Sequence, residues 1–311
     1  MRVRNLVKPD GSGGWSGLAL DVDVPARPAL RMELASGRRM VLRQGERPLL
    51  FARVATDRYG VDYLRAGAIE ALVAPCRADR ARVLAGFGPD EAAARWARTF
   101  AGELAAARHG PLHAGRWTLT RCEAGPRFAR LPPAERWLPL ADDQGRINWF
   151  TAPSARDIVP LRALSAPDAG RVKAYRKQAR DGTLPPVLLW WVSGLCCHVL
   201  LDGHDRLVAA LAEGREPAVL VLAAGGDERE RDALRGWALD HYAEAMGHAE
   251  RQVAAGTAHP YTGFVAINRR LGETLGDIEG SWGRTRAWPV RVDAWEREAG
   301  LADPAWLRRV G

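Results

Sequence analysis

The chain has 311 residues, 47% of them hydrophobic and 26% charged, with a net charge of +8 and a mean hydropathy of −0.24. That balance is the ordinary globular one and excludes wholesale disorder, and no apolar run approaches the ~18 residues that span a bilayer. At roughly 100–200 residues per domain, the length suggests two domains or three small ones.

Of the 45 cationic residues only Lys8, Lys173 and Lys177 are lysine, which leaves 42 arginines. An arginine-rich solvated surface is the simplest source of the pI of 9.8, and a polyanion partner is the sharper alternative. The cations are spread along the chain among acids, so nucleic acid is not the favoured partner. The opening MRVRNLVKPDGSGG has basic residues without an apolar segment, so no secretory signal, no membrane span and a cytoplasmic location are expected. Cys76, Cys122, Cys196 and Cys197 form no CxxC pair, which points to reduced thiols and neither a disulfide framework nor a zinc site.

Strands are expected first, at 18–24, 29–36, 38–44 and 49–56, joined by tight turns into an antiparallel meander. Apolar spacing then predicts helices over 63–74 and from Pro89-Asp90 to Gly110, followed by a strand at 115–122. Residues 1–125 thus read as one α+β domain. Residues 126–153 carry five prolines and several large apolar residues (Trp137, Leu138, Trp149, Phe150), and read as an irregular segment packed on a domain surface. Over 154–224 the order is helix (Ser165 as cap, to Gly182), strand VLLWWV (187–192), a Ser193-Gly194 turn, strand LCCHVLL (195–201), the Asp202-Gly203-His204-Asp205-Arg206 segment, a short helix to Gly214, and strand AVLVLA (218–223). Residues 225–311 read as mostly helical, with a long helix over 226–256 and shorter ones after it. The overall fold class is α+β.

Asp202 to Arg206 is the chemistry-bearing stretch. A strand ends, a glycine permits a tight path, and a helix begins within two residues. The amides of such a helix start, with Arg206 in its first turn, suit an anion. Gly203 would let a phosphate approach the backbone, His204 could donate to it, and Asp202 could hold a metal-bound water, a ribose hydroxyl or a substrate amine. The plainer alternative is that Asp202 and Asp205 cap the helix and Arg206 pairs with a carboxylate. His241, Glu244 and His248 share one face of the long helix and read as a solvated face, with no metal site. The twelve tryptophans read as core and interface residues.

Asp181-Gly182-Thr183-Leu184-Pro185-Pro186-Val187 followed by Asp202-Gly203-His204-Asp205-Arg206-Leu207-Val208-Ala209-Ala210, with Ile158-Val159-Pro160-Leu161 upstream, resembles the ParB/sulfiredoxin-like nucleotide-binding fold over about residues 155–224. The motif is closest to the D-G-H-H-R version of free serine kinases. The sulfiredoxin cysteine position holds His204, one arginine of the ParB version is absent, and the kinase glutamate after the first strand is replaced by Ala163-Leu164-Ser165. The resemblance implies a nucleotide or other phosphate-bearing ligand, ATP or ADP with Mg²⁺ among them, held by Gly203, His204, Asp205 and Arg206. It leaves two alternatives: a phosphotransferase acting on a small hydroxyl acceptor with Asp202 as catalytic residue and Asp142, Asp143 or Asp157 as a supporting carboxylate, and a protein-interaction module that has lost the ligand.

Overall fold

The computed structural model of the chain describes residues 1–8, 13–55, 60–121, 136–148, 155–226, 228–257, 260–280 and 283–310. Cys122, Trp149, Phe150 and Trp282, with most of the 126–153 segment, lie outside them. Strands β1 (Arg2–Val7) and β2 (Trp15–Val22) pair antiparallel; β3 (Leu30–Ala35), β4 (Arg39–Gln44), β5 (Arg47–Ala55) and β6 (Gly60–Arg65) form the expected meander. Helices α1 (Ala78–Ala85) and α2 (Pro89–Ala106) precede β7 (Gly115–Thr120), β8 (Arg136–Pro139), β9 (Gln144–Asn148) and β10 (Ala155–Pro160). Then come α3 (Gly170–Arg180), β11 (Val187–Val192), β12 (Cys197–Asp202), α4 (His204–Ala212) and β13 (Val219–Ala224). The chain closes with α5 (Glu228–Ala254), α6 (Pro260–Gly280), β14 (Ala287–Pro289), α7 (Val292–Ala302) and α8 (Pro304–Val310). The fold is mixed α+β, and among the described residues no helix is long and apolar enough to cross a membrane.

Two sheets carry the molecule: one in the order β1-β2-β7-β13-β11-β12-β10-β8, the other β14-β3-β4-β5-β6-β9. Their facing sides share one core. Leu18, Leu20, Leu119, Leu222, Trp190 and Val199 of the first meet Met32, Met40, Leu42, Ala52 and Val61 of the second, with Trp96, Phe100 and Leu104 of α2. On its outer face the first sheet is covered by α4, through Leu207 against Ile158, Leu189, Trp191, Leu200 and Val221. Helix α3 lies on α4 through Val172, Tyr175, Val208 and Ala209. The outer face of the second sheet is covered by α7 and α8, where Trp295 and Trp306 pack on Val41, Phe51 and Leu64. The alternation of Leu195, Cys197, Val199 and Leu201 therefore faces the shared core, as the period of two requires.

Several local expectations give way to tertiary partners. The boundary drawn at 125 and 154 is crossed by a continuous ladder, because β7 pairs with β13. Residues 63–74 are not a helix: Tyr63 to Arg65 finish β6, and the amides that follow are claimed elsewhere. The N–H groups of Ala66 and Gly67 donate to the Leu49 carbonyl, that of Ile69 to Leu161 and that of Glu70 to the Gln44 side chain. With those donors committed, no i→i−4 ladder can form. Helix α3 starts at Gly170 and not at Ser165, and α2 ends at Ala106, short of Gly110. The hairpin turn is wider than Ser193-Gly194. It runs to Cys196, which takes the positive φ (53°), and Ser193 exchanges hydrogen bonds with Thr285. Part of the connecting segment is regular, with β8 on one sheet and β9 on the other. The helix after Pro260 is long, 21 residues.

Candidate functional site at the start of α4

β10 and β12 run parallel and end at Pro160 and Asp202, while β11 begins level with Asp202. The carboxyl ends of two parallel strands thus open on one side, where crevices form in sheets of this kind. Gly203 is the single residue between β12 and α4, with φ 93° and ψ 26°. A Cβ there would lie 2.8 Å from Arg206 Nη2 and 3.0 Å from Val187 Cγ1. Glycine is thus required by its backbone and by the space that Arg206 occupies. The close approach it permits is to that guanidinium, where the sequence suggested a phosphate.

Arg206 is 3% exposed and bound inside the protein. Its Nη2 donates to Asp202 Oδ2 at 2.6 Å and to the Pro186 carbonyl at 3.0 Å, and its Nη1 to Cys76 Sγ at 3.4 Å. Nε has no hydrogen-bond partner among the described residues. Burial alone would lower its pKa, but Asp202 beside it raises it, so the cation is fixed. Asp202, a quarter exposed, is thereby held in an ion pair. Burial pushes the Cys76 thiol up, and the neighbouring Arg206 offsets only part of that.

Asp205 does not cap the helix, which has no side-chain cap. Its Oδ1 accepts from Ser165 Oγ at 2.8 Å, and its Oδ2 faces Arg171 Nε at 3.3 Å and Arg162 Nη2 at 3.7 Å. Ser165 is therefore drawn to α4, not to the start of α3. At the other end of the helix pair, Arg176 and Arg180 bond Glu213 just beyond α4. α3 and α4 are consequently parallel, with their uncapped N-termini side by side. The positive ends of two helix dipoles meet at Arg162, Arg171 and Asp205.

His204 stands in the first turn of α4, 2% exposed, and its Nε2 has no hydrogen-bond partner among the described residues. Burial, then the charges of Arg162, Arg65 and Arg206, bring its pKa down to about 3, so the ring is neutral at physiological pH. The amides of His204, Asp205 and Arg206 have no acceptor among the described residues; the first helical bond is from Leu207 to Gly203. Arg65 reaches this end from the other sheet. It donates to the Pro160 carbonyl at 2.9 Å, to Asp143 Oδ1 at 2.7 Å and to the Leu140 and Asp142 carbonyls.

The structure thus gathers Asp202, Gly203, His204, Asp205 and Arg206 with four groups the motif does not announce: Arg65, Cys76, Arg162 and Arg171. Arg65 was hidden by the helical reading of 63–74. Of the carboxylates weighed as a base, Asp143 is tied to Arg65, and Asp157 lies level with Cys197, about 16 Å along the strand from Asp202 at ~3.3 Å per residue. Both carboxylates of the motif are committed to arginines, and among the described residues no cluster of three or more His, Cys, Asp or Glu side chains could hold a metal. The residues present do not fit a protein-held Mg²⁺. His241 and His248 are exposed on α5, with the His241 ring 4.4 Å from Trp237. Comparison with family models, curated proteins and solved structures finds no match to this chain.

Proposed function

We propose that residues 155–224 form a ParB/sulfiredoxin-like unit that binds a nucleotide or another phosphate-bearing small ligand where the N-termini of α3 and α4 meet. One observation carries this reading. A buried neutral imidazole nitrogen and the first amides of α4 have no partner among the described residues, and they lie beside the half-exposed Arg162. Buried polar groups are nearly always satisfied, and phosphate oxygens accept from helix amides, imidazole N–H and guanidinium alike. In this reading Arg206 does not touch the ligand. It fixes Gly203 and Asp202 so that the first turn of α4 keeps its position, and Arg162 guards the way in. Any Mg²⁺ would be held by the phosphates of the ligand.

The test is a thermal-shift panel of ATP, ADP, GTP and CTP with Mg²⁺, and inorganic phosphate, on the full chain. A ligand at about 100 times its dissociation constant stabilises by ~2.7 kcal/mol. The expected result is a raised Tm with at least one phosphate compound, lost in Arg162→Ala while the unliganded Tm holds. No shift with any of them would leave an interaction module without ligand. Phosphate transfer to serine or another hydroxyl acceptor, abolished in a folded Asp202→Asn variant, would instead establish the phosphotransferase.

A further inference from the structure

Each sheet ends in two edge strands, and three of the four are blunted. β8 has four residues and ends at Pro139, and β14 has three and ends at Pro289. β9 carries Gly145 and Arg146, and its Gln144 accepts from Arg309 of α8. Short edges, prolines and charges keep an open row of N–H and C=O groups from pairing with another chain. β1 is the exception. It has six residues, Arg2-Val3-Arg4-Asn5-Leu6-Val7, with neither proline nor glycine, and among the described residues its one strand partner is β2. The irregularity of that pair lies on β2, where Ser16 is the extra residue, so β1 itself is unbroken.

β1 is also little covered. Leu6 is half-buried and the rest of the strand is exposed on both faces, whereas β2 beside it is largely buried. Val3 is 44% and Val7 64% exposed. Val3, Asn5 and Val7 share one face, the side of α2, since Asn5 Oδ1 accepts from Arg98 Nη2 at 2.8 Å.

We infer that β1 pairs antiparallel with β1 of a second copy of this chain, joining two eight-stranded sheets into one. A two-fold axis normal to the sheet leaves every side chain on its own face, so residues that meet are both odd or both even in number. Few registers remain. Centring on Arg4 sets Arg4 against Arg4, and centring on Val3 sets Arg2 against Arg4, and like charges directly opposite are destabilising. Centring on Leu6 pairs Asn5 with Val7 and sets Arg4 against Lys8. Centring on Asn5 sets Val3 against Val7 twice, Arg4 against Leu6 twice and Asn5 against itself. In that register Arg4 is already matched by Asp21 at 3.6 Å, and Arg2 meets Lys8, which lies outside β1 and faces Asp90 at 3.9 Å. The strand is complementary to itself in this one register. β1 stands five strands from β12, about 24 Å at ~4.8 Å per strand, so the inference does not depend on a ligand at α4.

The experiment is sedimentation velocity of the full chain. From about 1 to 200 µM it is expected to show a reversible monomer–dimer equilibrium, since a strand pair lies at the small end of specific interfaces. Val3→Lys with Val7→Lys sets lysine against lysine at both apolar pairs and should weaken association at least about tenfold. Val3→Lys with Val7→Glu sets lysine against glutamate in the Asn5 register and should hold association within about threefold of native. Both valines are exposed, so each variant is expected to keep the native Tm at low concentration. A native chain that stays monomeric throughout, leaving β1 to a strand of some other protein, would overturn the proposal. So would a dimer that survives the double lysine change, or one lost equally in the two variants, because neither is paired in this register.

Discussion

The outer faces of the two sheets each bury charged side chains under helices, and they finish the task differently. Beneath α7, Glu33 is 3% exposed and accepts from Arg31 Nε at 2.6 Å, Arg27 Nη2 at 2.8 Å and Arg43 Nε at 3.1 Å. Arg43 continues to Glu298 on α7 at 2.7 Å, and Arg31 to the Gly45 carbonyl. Burial alone would raise the Glu33 pKa, but the arginine hydrogen bonds and charges hold it below the usual range. At the start of α4 the network is incomplete: Arg206 Nε, His204 Nε2 and the first amides have no partner among the described residues. A closed network accounts for itself as structure, since half-satisfied buried groups are costly. Under the proposed function, the open one is where a ligand has something to supply.

Three changes would break or sharpen that contrast. The largest effect is expected at Glu33→Ala. It leaves Arg31 and Arg43 buried without their shared carboxylate and should cost about 3–5 kcal/mol in chemical denaturation. A loss below ~1 kcal/mol would mean that the network under α7 is not a lock.

Gly203→Ala comes next, at about 2–3 kcal/mol, because positive φ and the contact with Arg206 act together. Gly182→Ala is the internal reference: its φ is +70° with open space around it, so only the backbone cost of about 1 kcal/mol applies. Equal losses at the two glycines would show that Arg206 is not held against the Gly203 backbone.

At neutral pH the smallest effect is on the slope of stability with pH, and it grows only on acidification. The His204 pKa of about 3 in the fold lies below its ordinary 6.5, so the unfolded chain takes up the proton first. Its contribution is complete above pH 6.5 and falls as the solution is acidified toward 3, by at most about 1.4 kcal/mol per pH unit. His113, also depressed by burial, acts in the same direction, so the readout is the difference from His204→Gln. The variant should show a flatter acid limb in Tm, and an unchanged slope would mean that His204 is not buried as a neutral ring.

Local patterns carried much of the fold. The strand meander, the pair β11 and β12, the short helix α4 and the strand β13 are written in short apolar runs bounded by Gly and Pro, in the alternation of β12 and in the turn at Gly203. The helix reading of 63–74 failed because alanine and leucine favour helix only where their amides are free to pair locally, and here Leu49, Leu161 and Gln44 take them. Of the site, the motif residues were legible and their partners were not. Arg65 and Cys76 come from remote segments, and nothing in their local sequence names Pro160 or Arg206 as neighbours.

By itself, then, the sequence determined an α+β chain with a strand, a glycine and a helix start at 202–206, because backbone propensity and hydrophobic period act over a few residues. Only the tertiary structure decided what those residues face. It placed Arg206 against Asp202 and Cys76, turned Asp205 toward Ser165 and Arg171, and set α3 parallel to α4 with its lysines outward. Charge pairing and burial depend on distances between segments far apart in the chain. Those distances are fixed by the shared core of the two sheets, not by local spacing.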